Sequence, residues 1–189
     1  MNEKSKAYDL ITEGEIIVYP TDTLYGFGVD ATNSQAIKKL NILKLREQAY
    51  SIIVDSYEMA EKHVYISDKL KKQFKKFFPG PYTGIFKKKS ESDLSSLVNP
   101  GLETIGIRIP KSEFIVDLVA LLQKPIITTS VNVHGEPSLN NPEEIKNKFS
   151  KITVFTNSKI NRYSKGSTIV DFTSNSMVLL RQGDGIFPL

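Results

Sequence analysis

The chain has 189 residues, 40% hydrophobic and 24% charged, with a net charge of +4. That length gives one domain with a real core. The lack of cysteine excludes disulfides and thiolate metal sites, and no apolar run approaches the length needed to cross a membrane. The start, Asn2-Glu3-Lys4-Ser5-Lys6, is polar and carries no secretory pattern, so a cytoplasmic protein is expected. The mild positive charge suits an anionic ligand such as a nucleotide and would tolerate RNA. A lysine-rich solvated surface gives the same count.

Short β-rich runs alternate with amphipathic helical runs. Ile16-Ile17-Val18-Tyr19 reads as a buried strand stopped by Pro20. The segment from Thr21 to Gly28 then leaves the strand end. It is either a ligand loop, with the Thr21 and Thr23 hydroxyls and two glycines for close backbone approach, or a turn in which Asp22 bonds its own backbone. Ala36, Ile37, Leu40 and Leu43 recur at helical spacing, and Ser51 to Val54 is a second strand. Ser67 is an N-cap for a helix ending before Pro79-Gly80. Within it Lys69, Lys71, Lys72, Lys75 and Lys76 alternate with Leu70, Phe74 and Phe77, which puts the lysines on the wet face. Tyr82 to Phe86 and Ile105 to Ile109 are strands, and the polar stretch from Lys87 to Asn99 reads as a mobile surface loop. Ser112 caps an apolar helix from Phe114 to Leu122, and Ile126 to Thr129 is a strand. Asn141, followed by Pro142 and then Glu144, starts another helix. Val154-Phe155, Ser167 to Phe172 and Met177 to Leu180 complete the strands. No repeat or linker divides residues 1–189. The irregular alternation predicts a single three-layer α/β domain with a mixed, twisted sheet.

Several strand and helix ends carry groups that can do chemistry. Lys44 and Arg46 end a helix, where cations complement the helix dipole or capture an anion, Lys as a point charge and Arg as a planar fork. Pro79-Gly80-Pro81 is a rigid turn. Arg108, among apolar residues near a strand end, either reaches solvent at an edge or serves as a ligand's counter-ion, and it needs a partner if buried. Thr128, Thr129, Ser130 and Asn132 place hydroxyls and an amide at one strand end, more than a turn requires. His134 has no second histidine at ligand spacing, so it is a poor metal ligand; of the two readings left, general base and surface loop, the second is favoured. Gly166-Ser167-Thr168 opens a strand and Arg181 ends the last one. Neither a Gly-x-x-x-x-Gly-Lys-Ser/Thr loop nor a Gly-x-Gly-x-x-Gly turn is present, so a nucleotide would be held by scattered side chains.

Taken in order, these blocks resemble the YrdC/TsaC family, the L-threonylcarbamoyladenylate synthases. The blocks are Pro20-Thr21-Asp22-Thr23-Leu24-Tyr25-Gly26, Lys44-Leu45-Arg46, Pro79-Gly80-Pro81-Tyr82-Thr83, Arg108-Ile109-Pro110, Ser130-Val131-Asn132 through Pro137, Ser167-Thr168-Ile169-Val170-Asp171 and Arg181-Gln182-Gly183. The resemblance runs from about Ile16 to Gly183 and is to the short, single-domain type. It implies a YrdC-like domain with a large concave basic cavity. It also implies a reaction in which threonine and bicarbonate give a carbamate whose oxygen attacks the α-phosphate of ATP. Pyrophosphate leaves, and the threonylcarbamoyl-AMP product serves threonylcarbamoyladenosine modification of ANN-decoding tRNAs through a separate transferase complex. By the same resemblance, Thr23, Arg108, Thr128 and Ser167 would hold threonine. Lys44, Arg46, Thr104, Ser130, Asn132, Ser138 and Arg181 would face ATP, with Lys44 and Arg46 as the catalytic pair. Mg2+ would come with the ATP phosphates, held mainly by them and by water, since no carboxylate cage is visible.

The chain departs from the family pattern in places. Glu47 and Ser51 stand where prolines are usual, Tyr50 and Asp55 replace common family residues, and Gly84 stands where a bulky apolar residue is common. No site role is carried to Tyr50 or Asp55. Other readings are a tRNA- or double-stranded-RNA-binding module of the same fold, and a related carbamoyl-adenylating activity as in hydrogenase-maturation proteins. Against the first, stacking aromatics at exposed loop positions are not obvious. Against the second, acylphosphatase and zinc-finger segments are lacking.

Overall fold

The structure is a computed structural model that describes residues 2–45, 47–156, 163–174 and 176–188. Its centre is a nine-stranded sheet, built from β1 (Ile17–Pro20), β2 (Tyr25–Gly28), β3 (Ser51–Ile53), β4 (Tyr82–Lys87), β5 (Thr104–Arg108), β6 (Ile126–Ser130), β7 (Thr153–Val154), β8 (Thr168–Asp171) and β9 (Val178–Arg181). The spatial order is β7-β1-β2-β6-β3-β5-β4-β8-β9. The β1–β7, β3–β5 and β4–β8 pairs are parallel and the rest antiparallel, so the sheet is mixed as expected. Around it lie α1 (Glu3–Thr12), α2 (Ser34–Lys44), α3 (Tyr57–His63), α4 (Asp68–Phe77), α5 (Glu113–Leu122) and α6 (Pro142–Lys148).

Local signals explain most of these elements. Ser67 caps α4 by accepting the Leu70 N–H, and Asn141 caps α6 by accepting the Glu143 N–H. In α4, Leu70, Phe74 and Phe77 are buried while Lys69, Lys72, Lys75 and Lys76 are exposed. Ser112 stands at the N-cap of α5 but does not cap it. Its hydroxyl donates instead to the Pro20 carbonyl at 3.0 Å, tying α5 to the end of β1. Pro20 is the last residue of β1, so the strand ends at it.

Three segments depart from, or go beyond, the reading of the sequence. Tyr25–Gly28 is a buried strand, not a loop, because β1 and β6 flank it and satisfy its backbone on both sides. The polar N-terminus forms α1, which buries Ala7 and Ile11. The stretch from Lys87 to Asn99 is irregular but anchored. Val98 is buried and its carbonyl accepts the Tyr50 N–H, while the Ser95 N–H reaches the Ala31 carbonyl.

Gly84 has a packing reason. A Cβ there would lie 2.5 Å from the Phe86 ring, which stacks on Phe172 with centroids 4.9 Å apart. Two rings fill the space that a bulky side chain at this position would take.

Candidate active site

A cavity of about 350 Å³ opens where β2, β5, β6, β8 and β9 present their ends to the end of α2. Pairing of Gly26 with Ser130 brings the β2 and β6 blocks together, and β4 carries Thr83 beside the start of β8.

On one side the β1–β2 loop meets the end of β5. Arg108 is 7% exposed, and its Nη2 donates to Asp22 Oδ1 at 3.0 Å and to Thr23 Oγ1 at 3.2 Å. Asp22 therefore does not close a turn on its own backbone. Its second oxygen accepts the Lys111 N–H at 3.0 Å. Thr21 shapes the loop instead, accepting the Thr23 N–H and donating to the Leu24 carbonyl at 2.7 Å. Arg108 Nε is buried without a hydrogen-bond partner, an open donor on a buried cation.

Next to it, the Ser167 and Thr83 hydroxyls share a 2.7 Å hydrogen bond. Arg181 reaches back from β9 and donates through Nη2 to the Ser167 carbonyl at 2.7 Å. Partial burial, and secondly the charge of Arg108, hold the Arg181 guanidinium below the usual arginine pKa. Two guanidiniums that feel each other's charge form a place where an anion relieves repulsion.

On the other side Lys44 is 3% exposed. Its ammonium donates to the Ser130 carbonyl at 2.8 Å, the Asn132 carbonyl at 3.0 Å and Asn132 Oδ1 at 2.9 Å. It also lies 5.6 Å from the Phe27 ring centroid. A lysine has three N–H donors, and these three acceptors lie on one short stretch, from the last residue of β6 to Asn132. Ser130 Oγ donates to Asn132 Oδ1 at 2.8 Å, and Asn132 Nδ2 donates to the Glu136 carbonyl at 2.8 Å. The loop is thus wound around the Lys44 charge.

Thr23, Lys44, Arg108, Thr128, Ser130, Asn132, Ser138, Ser167 and Arg181 all line this cavity. Thr104 does not. It sits at the opposite end of β5 from Arg108, where its carbonyl accepts from Asn99 Nδ2 at 2.7 Å. Arg46 lies outside the described residues. His134 stands exposed in a turn, as expected, and also lines the cavity, with its backbone N–H on the Lys44 carbonyl at 3.1 Å. Gln48, Tyr50, Thr83 and Lys165 also line it, and the sequence does not single them out as site residues. For Thr83 a signal exists, since it belongs to the Pro79-Gly80-Pro81-Tyr82-Thr83 block. Lys165 stands directly before Gly166-Ser167.

Among the described residues the lining contains no Asp or Glu, and no group of three His, Cys, Asp or Glu could hold a metal. The donor set therefore does not fit a resident metal ion. It fits an anion approached by cations, hydroxyls and amides. Among the described residues no helix is long and apolar enough to cross a membrane.

A protein of Methanocaldococcus jannaschii named "Putative threonylcarbamoyl-AMP synthase" is 35% identical over 92% of this chain and 82% of its own length. The threonylcarbamoyl-AMP synthase of Bacillus subtilis is 31% identical over 95% of the chain and 53% of its own. The crystal structure of Pyrococcus abyssi Sua5 complexed with L-threonine superposes with a TM-score of 0.83 at 29% identity, covering 96% of this chain and 54% of that one. The chain thus spans about half the length of the B. subtilis and P. abyssi proteins. The Sua5/YciO/YrdC family model, described as telomere recombination, matches residues 9–183. The chain belongs to the Sua5/YciO/YrdC family.

Proposed function

We propose that the protein is an L-threonylcarbamoyladenylate synthase, a nucleotidyltransferase that makes threonylcarbamoyl-AMP and pyrophosphate from L-threonine, bicarbonate and ATP. The observation that carries this reading is the cavity's charge. Lys44, Arg108 and Arg181 line it together with Lys165, and among the described residues no carboxylate does. The relatives named threonylcarbamoyl-AMP synthase and the threonine-bound Sua5 structure support the choice of substrate.

The residues have a chemical task that follows from this reaction. Threonine and bicarbonate condense to a carbamate, with loss of water. A carbamate oxygen then forms a bond to the α-phosphorus of ATP as the bond to pyrophosphate breaks. The nucleophile is already anionic, so it needs no base. It must instead be brought against a polyanion, and fixed cations and donors lower that repulsion and set the line of attack. Arg108 would take the threonine carboxylate with its open Nε, beside the Thr23, Thr128 and Ser167 hydroxyls. Ser130, Asn132 and Ser138, in the stretch held in shape by Lys44, would take the nucleotide together with Arg181 from β9. Mg2+ would enter as part of the ATP substrate. The product would feed a separate transferase complex that acts on tRNA in the cytoplasm.

The test is threonine-dependent pyrophosphate release from ATP, magnesium and bicarbonate, with serine and glycine as controls. Release with threonine alone is expected. Equal release with all three amino acids would remove the threonine assignment.

A further inference from the structure

One rim of the cavity is held in place from outside by the segment after β9. Asp184 Oδ2 accepts the Ser164 hydroxyl at 2.5 Å, and its Oδ1 accepts the Lys165 backbone N–H at 2.8 Å. The Asp184 N–H donates to the Gly166 carbonyl at 2.9 Å, and Ser164 Oγ accepts the Gly166 N–H at 3.0 Å. Gly166 has φ +81°, which other residues rarely adopt. Gly183 packs so near that a Cβ on it would lie 2.3 Å from the Gly166 carbonyl. The turn is therefore fixed at several points, and the side chain it carries at its tip is Lys165.

Lys165 lines the cavity, is exposed, and its ammonium has no ion-pair or hydrogen-bond partner among the described residues. The other described cations of the lining are engaged: Lys44 by Ser130 and Asn132, Arg108 by Asp22 and Thr23, and Arg181 by Ser167. A rim this firmly held that offers one unengaged ammonium to a cavity without described carboxylates is suited to an anion at the mouth. Arg108, buried and taking the threonine carboxylate in the reading above, marks the end of the cavity away from the nucleotide's tail. The rest of the triphosphate, and the pyrophosphate that departs, would then run toward the exposed rim.

We infer that Lys165 is a binding residue for the nucleotide phosphates beyond the α-phosphate, and that Asp184 is its positioning residue. This rests on the ATP-using reading above. Calorimetric titration of the full chain with ATP and with AMP tests it. K165Q weakens ATP binding by about tenfold and changes AMP binding by less than about twofold, the scale for removing one charge-assisted hydrogen bond to phosphate. K165R keeps ATP binding. D184A weakens ATP binding too, and the K165Q/D184A double variant binds ATP no worse than K165Q alone, because both changes act through the same ammonium. Unchanged ATP binding in K165Q, or equal weakening for ATP and AMP, overturns the assignment of Lys165. Additive effects overturn the role of Asp184. Should D184A not fold, S164A removes one of the two hydrogen bonds to the carboxylate and takes its place. Wild-type protein that binds ATP yet shows no threonine-dependent pyrophosphate release would overturn the proposed reaction while leaving the binding result to stand.

Discussion

Asp22 and Arg108 lie 86 residues apart in sequence and are joined by a 3.0 Å ion pair in which each side chain is 9% exposed. The pair fixes one end of the cavity, and the second oxygen of Asp22 holds the Lys111 backbone at 3.0 Å. Removing one partner of a buried pair leaves an uncompensated charge. D22A is therefore expected to lower unfolding free energy by about 3 kcal/mol and to raise the KM for threonine. Urea unfolding and pyrophosphate release measure the two effects. A stable D22A protein with unchanged threonine KM would sink this account of the pair.

Lys44 is expected to act by shaping the loop after β6. K44A leaves the Ser130 and Asn132 carbonyls and Asn132 Oδ1 without their donor. The rate of threonine-dependent pyrophosphate release should fall by about a hundredfold or more, the scale for losing oriented polar groups at a reacting centre. K44R should not restore it, since a planar fork cannot place three donors as an ammonium does. Near-normal turnover in K44A would refute the role.

Gly84 is predicted to tolerate no branched side chain while Phe86 is in place. A Cβ would lie 2.5 Å from the Phe86 ring, with Phe172 stacked behind it. G84V should cost about 1–3 kcal/mol through overpacking, read by urea denaturation. The double change G84V/F86A should be non-additive, because the second substitution opens the space that the first one needs. Strict additivity would count against the packing argument.

His63 gives stability a pH dependence. It is buried, with Nδ1 3.0 Å from Ser92 Oγ and 3.5 Å from Asp93 Oδ1. Burial lowers its pKa below the ordinary histidine value, outweighing the upward pull of Asp93. The unfolded chain then binds more protons than the folded one as pH falls through the ordinary histidine range. Stability is highest above that range and declines as His63 must charge. The melting temperature of wild type should fall from about pH 7.5 to about pH 5.5, around the reference value near 6.5. H63Q should flatten that slope. An equal slope in both proteins would show that other groups set it.

The chemistry-bearing blocks of this chain are legible because each is a short local pattern. Lys44, Arg108, Ser130, Asn132, Ser167 and Arg181 each end or open a run with its own period. What they touch is not legible. Ser112 stands at the cap position of α5, yet its hydroxyl goes to Pro20. Thr104 belongs to the same strand as Arg108 but falls at the end away from the cavity. Lys165 and Asp184 look like ordinary surface charges in the sequence, since the clasp between them depends on a turn and a tail that meet only in space.

Caps and helical periodicity are properties of neighbouring residues, so the amino-acid order alone determined α2, α4, α5 and α6 and most of the strand cores. Tyr25-Gly26-Phe27-Gly28 has no such local signature. It became a strand only because β1 and β6 close on it from both sides. Likewise α1 has few apolar residues, and it is fixed by packing on α5 and β1. The tertiary structure also decided the charge pairing, because a buried ion needs its counterpart at about 3 Å whatever the distance along the chain. That is why Asp22 belongs to Arg108 rather than to its own turn.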